Sequence, residues 1–446
     1  MAQLRPFRGV RYDLRVVGDL GAVVSAPYDI ISPAAQRDYL ARSPYNAVRL
    51  ELPSDEPNDA AAHGRYRRAA AIYQQWLASG VLLAEHQAGF FLYEERFSDR
   101  GIERVRRSLL TPVRLADWRE GIILPHEFTL SGPKQDRLNL LRATGVQFSP
   151  ILALYDDPGD IGTVLDEVAH GEPVAELRLA NGAVAAAAHT HRLWRIMDPA
   201  RIVAIMRAFE LLQIYIADGH HRYETALAYR DEQRSAGAGP DAPSEFVLMA
   251  LVATDDPGIC ILPTHRLLRL STVPPVTDLA PRLAGWFIIE EYPADQVASL
   301  LDAPYDRPTF VLLGLADGRA HRLTLREDID LAALLPDVPP VLRALDTLVL
   351  QRLLLEPVFG LPARELETNG RVQFTRDPDE ALHAYRAGEA QVVIFLRPTP
   401  LDQIRAVAQA GERMPQKTTY FYPKPVTGLV FFDHQRAFAG HGPEGS

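Results

Sequence analysis

The stretch Leu211–Glu232, LLQIYIADGHHRYETALAYRDE, decides the fold of the central part of this chain. Its apolar run Leu211–Ala217 has the length and the Ile/Tyr content of a buried strand, whereas the apolar positions from Tyr223 onward recur at helical spacing. The dipeptide Asp218-Gly219 separates the two halves. The stretch therefore predicts a strand, a sharp turn and a helix.

The first turn of the predicted helix carries His220, His221 and Arg222. Free backbone N–H groups and the helix dipole make a helix start favourable for anions, whereas cationic side chains at that position oppose the dipole. An anionic ligand such as a phosphate explains these side chains better than helix stability does. Asp218 adds a carboxylate that can hold Mg²⁺ or orient a hydroxyl. The alternative is a plain turn in which Asp218 is the helix N-cap.

The composition is typical of a soluble globular protein. The chain has 446 residues, 47% of them hydrophobic, which is enough for two or three domains with their own cores. The single cysteine, Cys260, excludes an intrachain disulfide framework and a multi-cysteine zinc site. No apolar window approaches the roughly 18 to 20 residues of a membrane span, and the N-terminal MAQLRPFRGVRYD lacks the apolar core of a signal peptide. We therefore expect a cytoplasmic protein without a membrane partner.

The charge of the chain bears on its partners. The formal net charge at pH 7 is −10. A protein that binds nucleic acid mainly through the phosphate backbone needs a basic surface. We therefore expect that nucleic acid is not the main partner, although a local basic patch stays open.

A second polar stretch, residues 121–157, precedes the central one. It is dense in reactive side chains, namely His126, Glu127, Thr129, Ser131, Lys134, Asp136 and Arg137. Its Ser-Gly-Pro-Lys loop leads into an amphipathic helix, which makes Lys134 a candidate phosphate contact. A solvated loop is the alternative.

Loops on both sides of the central stretch hold further candidates. Asp29 lies in an extended Pro-Tyr-Asp segment before Ser32, a candidate helix N-cap, and the segment 43–53, SPYNAVRLELP, is expected to form a loop and a strand. Near the other end, Lys417 and Lys424 bracket a segment rich in threonine and tyrosine. Such loops suit the capture of a phosphate or carboxylate, and a surface loop with packed tyrosines is the alternative.

Residues 159–208 have the pattern of an inserted or bridging segment with a helix, strands and a short helix. Within it, His189 and His191 have strand spacing, so they share one face. They could ligate a metal, or they could simply belong to a polar strand face.

Six motifs, in order along nearly the whole chain, carry a family resemblance: APYDIIS, SPYNAVRLELP, LPHEFTLSGPKQDRL, IADGHHRYETALAYRDE, ILPTHRLL and MPQKTTYFYP. They resemble a widespread prokaryotic family catalogued as domain of unknown function 1015. Its DGHHR segment is similar to the phosphate-binding signature of the ParB and sulfiredoxin superfamily, which includes small free-serine kinases. In those kinases the nucleotide phosphates lie on that turn, and a glutamate in a Pro-His-Glu segment acts on the serine hydroxyl.

The resemblance assigns roles to individual residues. It implies that Glu127 accepts the hydroxyl proton and that Asp218 holds Mg²⁺ or the hydroxyl. The residues implied for the nucleotide phosphates are Gly219, His220, His221 and Arg222, with Lys134 as a secondary candidate. The wide sequence separation of Glu127 and Asp218, compared with the small kinases, requires an insertion near 159–208.

The fold expected from residues and resemblance together is α+β in three parts. These are an N-terminal α+β region at 1–115, a central ParB/sulfiredoxin-like phosphate-binding domain at 116–273, and a C-terminal α+β domain at 274–446. The boundary at 274 rests on the Pro274-Pro275 pair.

We interpret the chain as a phosphotransferase that uses ATP or ADP with Mg²⁺ and acts on a small hydroxyl compound, with free L-serine as the leading acceptor. Asp29, Lys417 and Lys424 would bind the acceptor in loops that fold over the DGHHR turn. One alternative is a ParB-like nucleotide-binding module without enzymatic activity, and the oligomeric state is open. Another is a metal-dependent phosphatase of the phosphoserine type, with a transition metal held by His126, Glu127, Asp218, His220 and His221.

Overall fold

The computed structural model describes residues 1–55, 64–129, 131–179, 188–273, 275–302, 306–315, 317–363 and 370–438. They form a mixed α+β protein, which confirms the predicted fold class. The chain folds into two compact units that are discontinuous in sequence. Unit 1 contains Met1–Pro125, Thr129–Cys260 and Pro423–Ser446, and unit 2 contains His126–Phe128 and Ile261–Tyr422.

The strands are β1 (Val10–Tyr12), β2 (Leu82–Ala84), β3 (Phe90–Asp99), β4 (Ile102–Arg114), β5 (Ile123–Leu124), β6 (Val146–Gln147), β7 (Ile151–Tyr155), β8 (Ala175–Leu179), β9 (His189–Ile196), β10 (Ile214–Asp218), β11 (Phe246–Ala253), β12 (Cys260–Ile261), β13 (His265–Leu268), β14 (Phe287–Tyr292), β15 (Thr309–Leu313), β16 (Ala320–Leu325), β17 (Val372–Thr375), β18 (Val392–Phe395), β19 (Phe421–Tyr422) and β20 (Phe432–Asp433).

The helices are α1 (Leu14–Val17), α2 (Leu20–Val23), α3 (Pro33–Arg42), α4 (Val48–Glu51), α5 (Gly64–Ala78), α6 (Ser131–Thr144), α7 (Asp160–Ala169), α8 (Pro199–Phe209), α9 (His220–Ser235), α10 (Val276–Leu283), α11 (Val297–Asp302), α12 (Leu331–Leu334), α13 (Asp346–Leu350), α14 (Glu356–Phe359), α15 (Pro378–Arg386) and α16 (Leu401–Gln409). A π-helical turn, Gln351–Leu355, joins α13 to α14. Ser32 caps α3 as predicted, since its side chain accepts a hydrogen bond from the N–H of Ala35.

Unit 1 is built on a mixed eight-stranded sheet with the order β5-β10-β7-β11-β4-β3-β9-β8. Strands β3 and β4, which precede residue 115, and strands β7, β10 and β11, which follow it, belong to this same sheet. The strands β8 and β9 of the predicted insertion extend the sheet at one edge, and residues 180–187 between them lie outside the described part of the chain. The three-part division stays a prediction.

A buried core lies against one face of this sheet. Helices α7, α8 and α9 contribute apolar side chains at helical spacing, such as Leu165, Ile205 and Tyr223, and the strands contribute alternate residues such as Ile214 and Ile216. The alternation leaves the opposite face of each strand for other contacts. This packing fixes α9 at the end of β10.

Unit 2 is built on an antiparallel six-stranded sheet with the order β14-β16-β15-β18-β13-β17. Alternate residues of its strands enter two apolar clusters, one on each face, as Leu312 and Leu313 illustrate. Both faces of the sheet are therefore covered. Pro274, at the predicted boundary, is outside the described residues.

The central stretch folds into the predicted strand, turn and helix. Strand β10 begins at Ile214, not at Leu211, because the N–H of Leu212 donates to the carbonyl of Phe209 and closes the end of α8. Leu211 is accordingly 85% exposed.

The segment SPYNAVRLELP differs from the expectation of a strand. It contains the short helix α4, because the side chain of Asn46 accepts a hydrogen bond from the N–H of Val48 and donates to the carbonyls of Ala22 and Val24. Asparagine side chains that bond the backbone in this way favour turns over strands.

In the described part of the chain, no helix is both long and apolar enough to cross a membrane.

Candidate functional site

Helix α9 begins without a side-chain cap. Its N-cap is Gly219, which has φ +101° and makes no capping hydrogen bond. A Cβ at this position would lie about 3.0 Å from the guanidinium of Arg222 and would also strain the backbone. Asp218 belongs to β10 and does not cap the helix, so the plain-turn alternative with Asp218 as N-cap is wrong. The helix start thus keeps its favourable potential for an anion.

Four of the candidate residues meet at this helix start in unit 1. The ammonium group of Lys424 lies 2.6 Å from Oδ1 of Asp218 and also pairs with Oδ2 of Asp29. The second oxygen of Asp218 accepts a hydrogen bond of 2.7 Å from Nη2 of Arg222. Residues from three distant parts of the sequence therefore form one charged cluster, which we call the Lys424 cluster: Asp29, Asp218, Arg222 and Lys424.

The cluster keeps Asp218 ionised. Burial alone would raise the pKa of Asp218, but Lys424 and then Arg222 outweigh burial and hold it below its ordinary value. Only 6% of the Lys424 side chain and 15% of the Asp218 side chain are exposed. The cluster is therefore a preorganised set of charges at the end of β10.

Arg222 has two intramolecular partners that its sequence position did not indicate. In addition to Asp218, its Nη1 donates to the hydroxyl of Ser149 at 3.1 Å and to the carbonyl of Pro150 at 2.6 Å. These bonds account for a cation in the first turn of α9 without any ligand. A role for Arg222 in phosphate binding stays a prediction.

A buried layer beside the cluster was missed from the sequence. Glu51, at the end of α4, accepts a hydrogen bond of 2.9 Å from the hydroxyl of Ser149. Arg137, on α6, donates to the Glu51 carbonyl at 2.5 Å and stacks over the ring of Tyr28, 4.2 Å from its centroid. The available signal was a glutamate inside the apolar run LELP and a tyrosine next to Asp29.

Lys134 lies on α6 and pairs with a residue of α9. Its ammonium is 2.7 Å from Oε2 of Glu224, which also accepts a hydrogen bond of 2.6 Å from the hydroxyl of Thr129. The Lys134 side chain is 36% exposed. Its contact with phosphate stays a prediction.

Two further candidates, Glu127 and Lys417, meet in unit 2. The N–H of Lys417 donates to Oε1 of Glu127 at 3.3 Å, and Lys417 itself has the unusual φ of +59°. The neighbouring His126 holds the same loop, since its carbonyl accepts from the N–H of Met414 at 2.7 Å and its Nε2 lies 2.9 Å from the hydroxyl of Thr419. The Pro-His-Glu segment and the Met-Pro-Gln-Lys loop are therefore one local structure.

The residues proposed for a phosphatase metal do not gather in unit 1. Among the described residues, the group of three potential ligands that lie close enough for an ion is Glu291, Asp317 and His321, and Asp218, His220 and His221 do not form such a group. Glu291 pairs with Arg319 at 3.2 Å, and Nε2 of His321 lies 2.9 Å from Asp317. This arrangement gives no support to the phosphatase alternative.

His189 and His191 belong to a buried polar layer on β9. Burial lowers the pKa of His189 to about 4 and that of His191 to about 3, so both are neutral at pH 7. Nδ1 of His191 lies 2.7 Å from the hydroxyl of Tyr93. A buried strand face accounts for both histidines, and neither belongs to the group of potential metal ligands found in the described chain.

The sequence model of one protein family, described as "Protein of unknown function (DUF1015)", matches residues 4–348. The comparison with curated proteins gives no match.

Several solved structures show a distant likeness. A mutant free serine kinase in complex with AMP is 11% identical, with a TM-score of 0.35 over 72% of this chain and 91% of its own. A conserved hypothetical protein from Pyrococcus furiosus is 12% identical, with a TM-score of 0.32 over 72% of this chain and 92% of its own. SbnI with a C-terminal truncation from Staphylococcus aureus is 11% identical, with a TM-score of 0.33 over 71% of this chain and 85% of its own. These likenesses are too distant to assign a function to this chain.

Proposed function

This chain belongs to the family described as "Protein of unknown function (DUF1015)". We propose that it is a nucleotide-dependent phosphotransferase that acts on a small hydroxyl compound. The observation that carries the proposal is the Lys424 cluster at the uncapped start of α9. Phosphoryl transfer depends on positioning and charge neutralisation more than on covalent chemistry by the protein. The cluster supplies positioning and charge neutralisation through a buried cation, two carboxylates and a helix N-terminus.

In the proposal, the phosphates of ATP or ADP bind at the turn formed by Gly219, His220, His221 and Arg222. The helix dipole favours negative charge there, and the guanidinium of Arg222 lies directly over Gly219, where it could contact a bound phosphate. Lys424, which is nearly buried, adds a fixed positive charge whose effect is larger than that of a lysine in water. Arg222 holds Asp218 in place and adds a second cation.

We propose that the cluster offers carboxylate oxygens to Mg²⁺; in this structure Lys424 and Arg222 pair with the two oxygens of Asp218, so the ion would replace one of these cations. Carboxylate oxygens are the protein ligands that Mg²⁺ prefers, and oxygens of both Asp29 and Asp218 lie around the single ammonium group of Lys424. Asp218 is the residue that would hold the ion. Bound there with a nucleotide, Mg²⁺ would neutralise phosphate charge.

The remaining roles come from the sequence: the resemblance implies the role of Glu127, and charged residues in the flanking loops are the candidates for binding the acceptor. Glu127 is proposed to accept the proton of the acceptor hydroxyl, and Lys417, whose N–H contacts the Glu127 carboxylate, is proposed to bind the acceptor. Asp29 and Lys424, which pair with each other in unit 1, are also proposed to bind the acceptor. Free L-serine is the acceptor that the resemblance favours.

The experiment that tests the proposal follows product formation by phosphorus NMR. The protein is incubated with L-serine, Mg²⁺ and either ATP or ADP, and Asp218→Asn serves as the site variant. We expect a phosphomonoester signal of O-phosphoserine with the wild type and a strongly reduced signal with Asp218→Asn. Release of phosphate from O-phosphoserine without nucleotide, and no product in the forward direction, would contradict the proposal in favour of a phosphatase.

A further inference from the structure

A buried polar layer lies on the face of the unit 1 sheet that is opposite the core formed with α7, α8 and α9. Its members alternate along β3 and β4 with core residues such as Leu92 and Leu109, so their side chains point to the other face. Each of them is at most 1% exposed. We call them the Arg106 layer: Tyr93, Glu95 and Arg106.

Glu95 and Arg106 form an ion pair that fixes the direction of the guanidinium. Nε of Arg106 donates to Oε2 of Glu95 at 2.9 Å, and Nη2 donates to the same oxygen. Apolar side chains of similar volume often stabilise a buried site as well as such a pair does. The informative feature of the pair is therefore what else the guanidinium contacts.

Arg106 also contacts the segment that carries Lys424. Its Nη2 donates to the carbonyl of Pro423 at 2.5 Å. This carbonyl and the N and Cα atoms of Lys424 belong to one planar peptide unit, so the hydrogen bond orients the backbone from which the lysine side chain leaves. Because the donor is ionised, the bond is stronger than one between neutral groups.

The backbone around Lys424 has little freedom of its own. Lys424 lies between two prolines, and the proline after it favours an extended conformation at the lysine. Farther along, the N–H and the carbonyl of Thr427 bond the backbone of Ser25 at 2.9 and 3.1 Å. Arg106 holds one end of this short segment and Ser25 the other, so the direction of the Lys424 side chain depends on both anchors.

Tyr93 faces the same segment. Burial and then the charge of Glu95 raise the pKa of its hydroxyl, whereas Arg106 and the backbone N–H of Val426 lower that pKa. Val426 follows Lys424 by two positions. The Arg106 layer therefore contacts the segment before the lysine and lies beside it after the lysine.

We propose that Arg106 is a positioning residue that holds the ammonium group of Lys424 at Asp218 through the carbonyl of Pro423. The inference rests on the proposed phosphotransferase function, in which Lys424 supplies the buried positive charge beside the nucleotide phosphates. Arg106 acts through Lys424 and is not itself a ligand of the nucleotide.

The first test measures the KM for the nucleotide in Arg106→Lys with L-serine as the acceptor. A lysine keeps a positive charge opposite Glu95 but lacks the planar fork that reaches Glu95 and Pro423 together. We expect the KM for ADP or ATP to rise about tenfold, with a smaller change in kcat, because Lys424 loses its fixed place beside the phosphates. In a Lys424→Met background, Arg106→Lys should leave this KM unchanged.

The matched control is Arg230→Lys. Arg230 is equally buried, at 2% exposure, and pairs with Asp117 at 3.2 Å, but it does not contact the segment that carries Lys424. Its replacement should leave the KM for the nucleotide unchanged.

Urea unfolding tests the inference without turnover. Lys424→Met should lower the urea midpoint less in the Arg106→Lys background than in the wild-type background, because the ion pair with Asp218 is already loosened. Glu95→Gln, which removes the charge that orients the guanidinium, is the second variant and should weaken the same coupling.

Two results would overturn the inference. One is a KM for the nucleotide that rises equally with Arg106→Lys in the wild-type and Lys424→Met backgrounds, and the other is an equal shift of the urea midpoint by Lys424→Met in all three backgrounds. Failure of the proposed function is a separate result, since the wild type would then form no product. In that case the urea cycle alone decides whether Arg106 positions Lys424.

Discussion

Replacing Lys424 by methionine probes the charged cluster at the start of α9, and the chain offers a matched comparison in Lys134→Met. The two ammonium groups lie at almost the same distance from their carboxylates, 2.6 Å from Asp218 and 2.7 Å from Glu224. The burial of the pairs differs. The side chains of Lys424 and Asp218 are 6% and 15% exposed, whereas those of Lys134 and Glu224 are 36% and 27% exposed.

The burial of each ion pair determines how much unfolding free energy its removal is expected to cost. Removing one partner of a buried ion pair costs roughly 3 to 5 kcal/mol because the other charge is left uncompensated. Asp218 keeps Arg222 at 2.7 Å, so we expect Lys424→Met to lower the free energy of unfolding by about 3 kcal/mol, at the lower end of that range. The pair of Lys424 with the more exposed Asp29 adds at most about 1 kcal/mol, and Lys134→Met should also cost no more than about 1 kcal/mol.

The assay is urea unfolding of the wild type and both variants, monitored by circular dichroism at pH 7. A double-mutant cycle with Asp218→Asn isolates the pairwise energy, and we expect Lys424→Met to cost less in that background. Equal destabilisation by Lys424→Met and Lys134→Met would contradict the larger contribution expected of the buried pair. A cycle that gives no coupling between Lys424 and Asp218 would also contradict that expectation.

Three further predictions concern ligand binding, turnover and pH. ADP or ATP with Mg²⁺ should raise the melting temperature of the wild type, because a ligand that binds the folded state stabilises it. The rise should be smaller in Arg222→Ala. Equal rises in both proteins would contradict the proposed phosphate site. Glu127→Gln should keep the melting temperature and nucleotide binding but lower turnover on the order of a hundred- to ten-thousandfold, so near-native turnover would exclude Glu127 as the base. Burial holds the pKa of His191 at about 3 in the folded protein, below its ordinary value of 6.5, so protonation favours the unfolded chain and stability is lost as the pH falls below 6.5. In urea titrations, the free energy of unfolding should fall by about 2 kcal/mol between pH 7 and pH 5 because of this residue. A His191→Gln variant with the same pH dependence as the wild type would refute that assignment.

Local sequence signals predicted the central element well. The apolar run before Asp218-Gly219 and the helical spacing after it gave β10 and α9, and the positive φ at Gly219 explains why the turn requires glycine. The start of the strand was placed too early, because the apolar Leu211 is exposed in the turn that ends α8. Hydrophobicity alone does not distinguish a strand residue from an exposed apolar residue in a turn.

The candidate site shows the limit of sequence reasoning. Asp29 and Lys424 were expected in loops that fold over the DGHHR turn, but their direct pairing with each other and with Asp218 is visible only in the fold. Glu51 was missed because its burial depends on contacts with Arg137 and Ser149, which lie far from it in the sequence.

The segment SPYNAVRLELP was expected to contain a strand, whereas hydrogen bonds from Asn46 to distant backbone groups produce a short helix. Long-range hydrogen bonds of this kind leave no periodic signal in a single sequence.

The most direct test of the central claim is a crystal structure of the protein with ADP and Mg²⁺. The account predicts that the phosphates lie on the turn from Gly219 to Arg222, within hydrogen-bonding distance of its backbone N–H groups and close to the ammonium of Lys424, with Mg²⁺ contacting Asp218. Nucleotide bound with its phosphates at any other part of the molecule, while this turn and the Lys424 cluster stay unchanged, would contradict it.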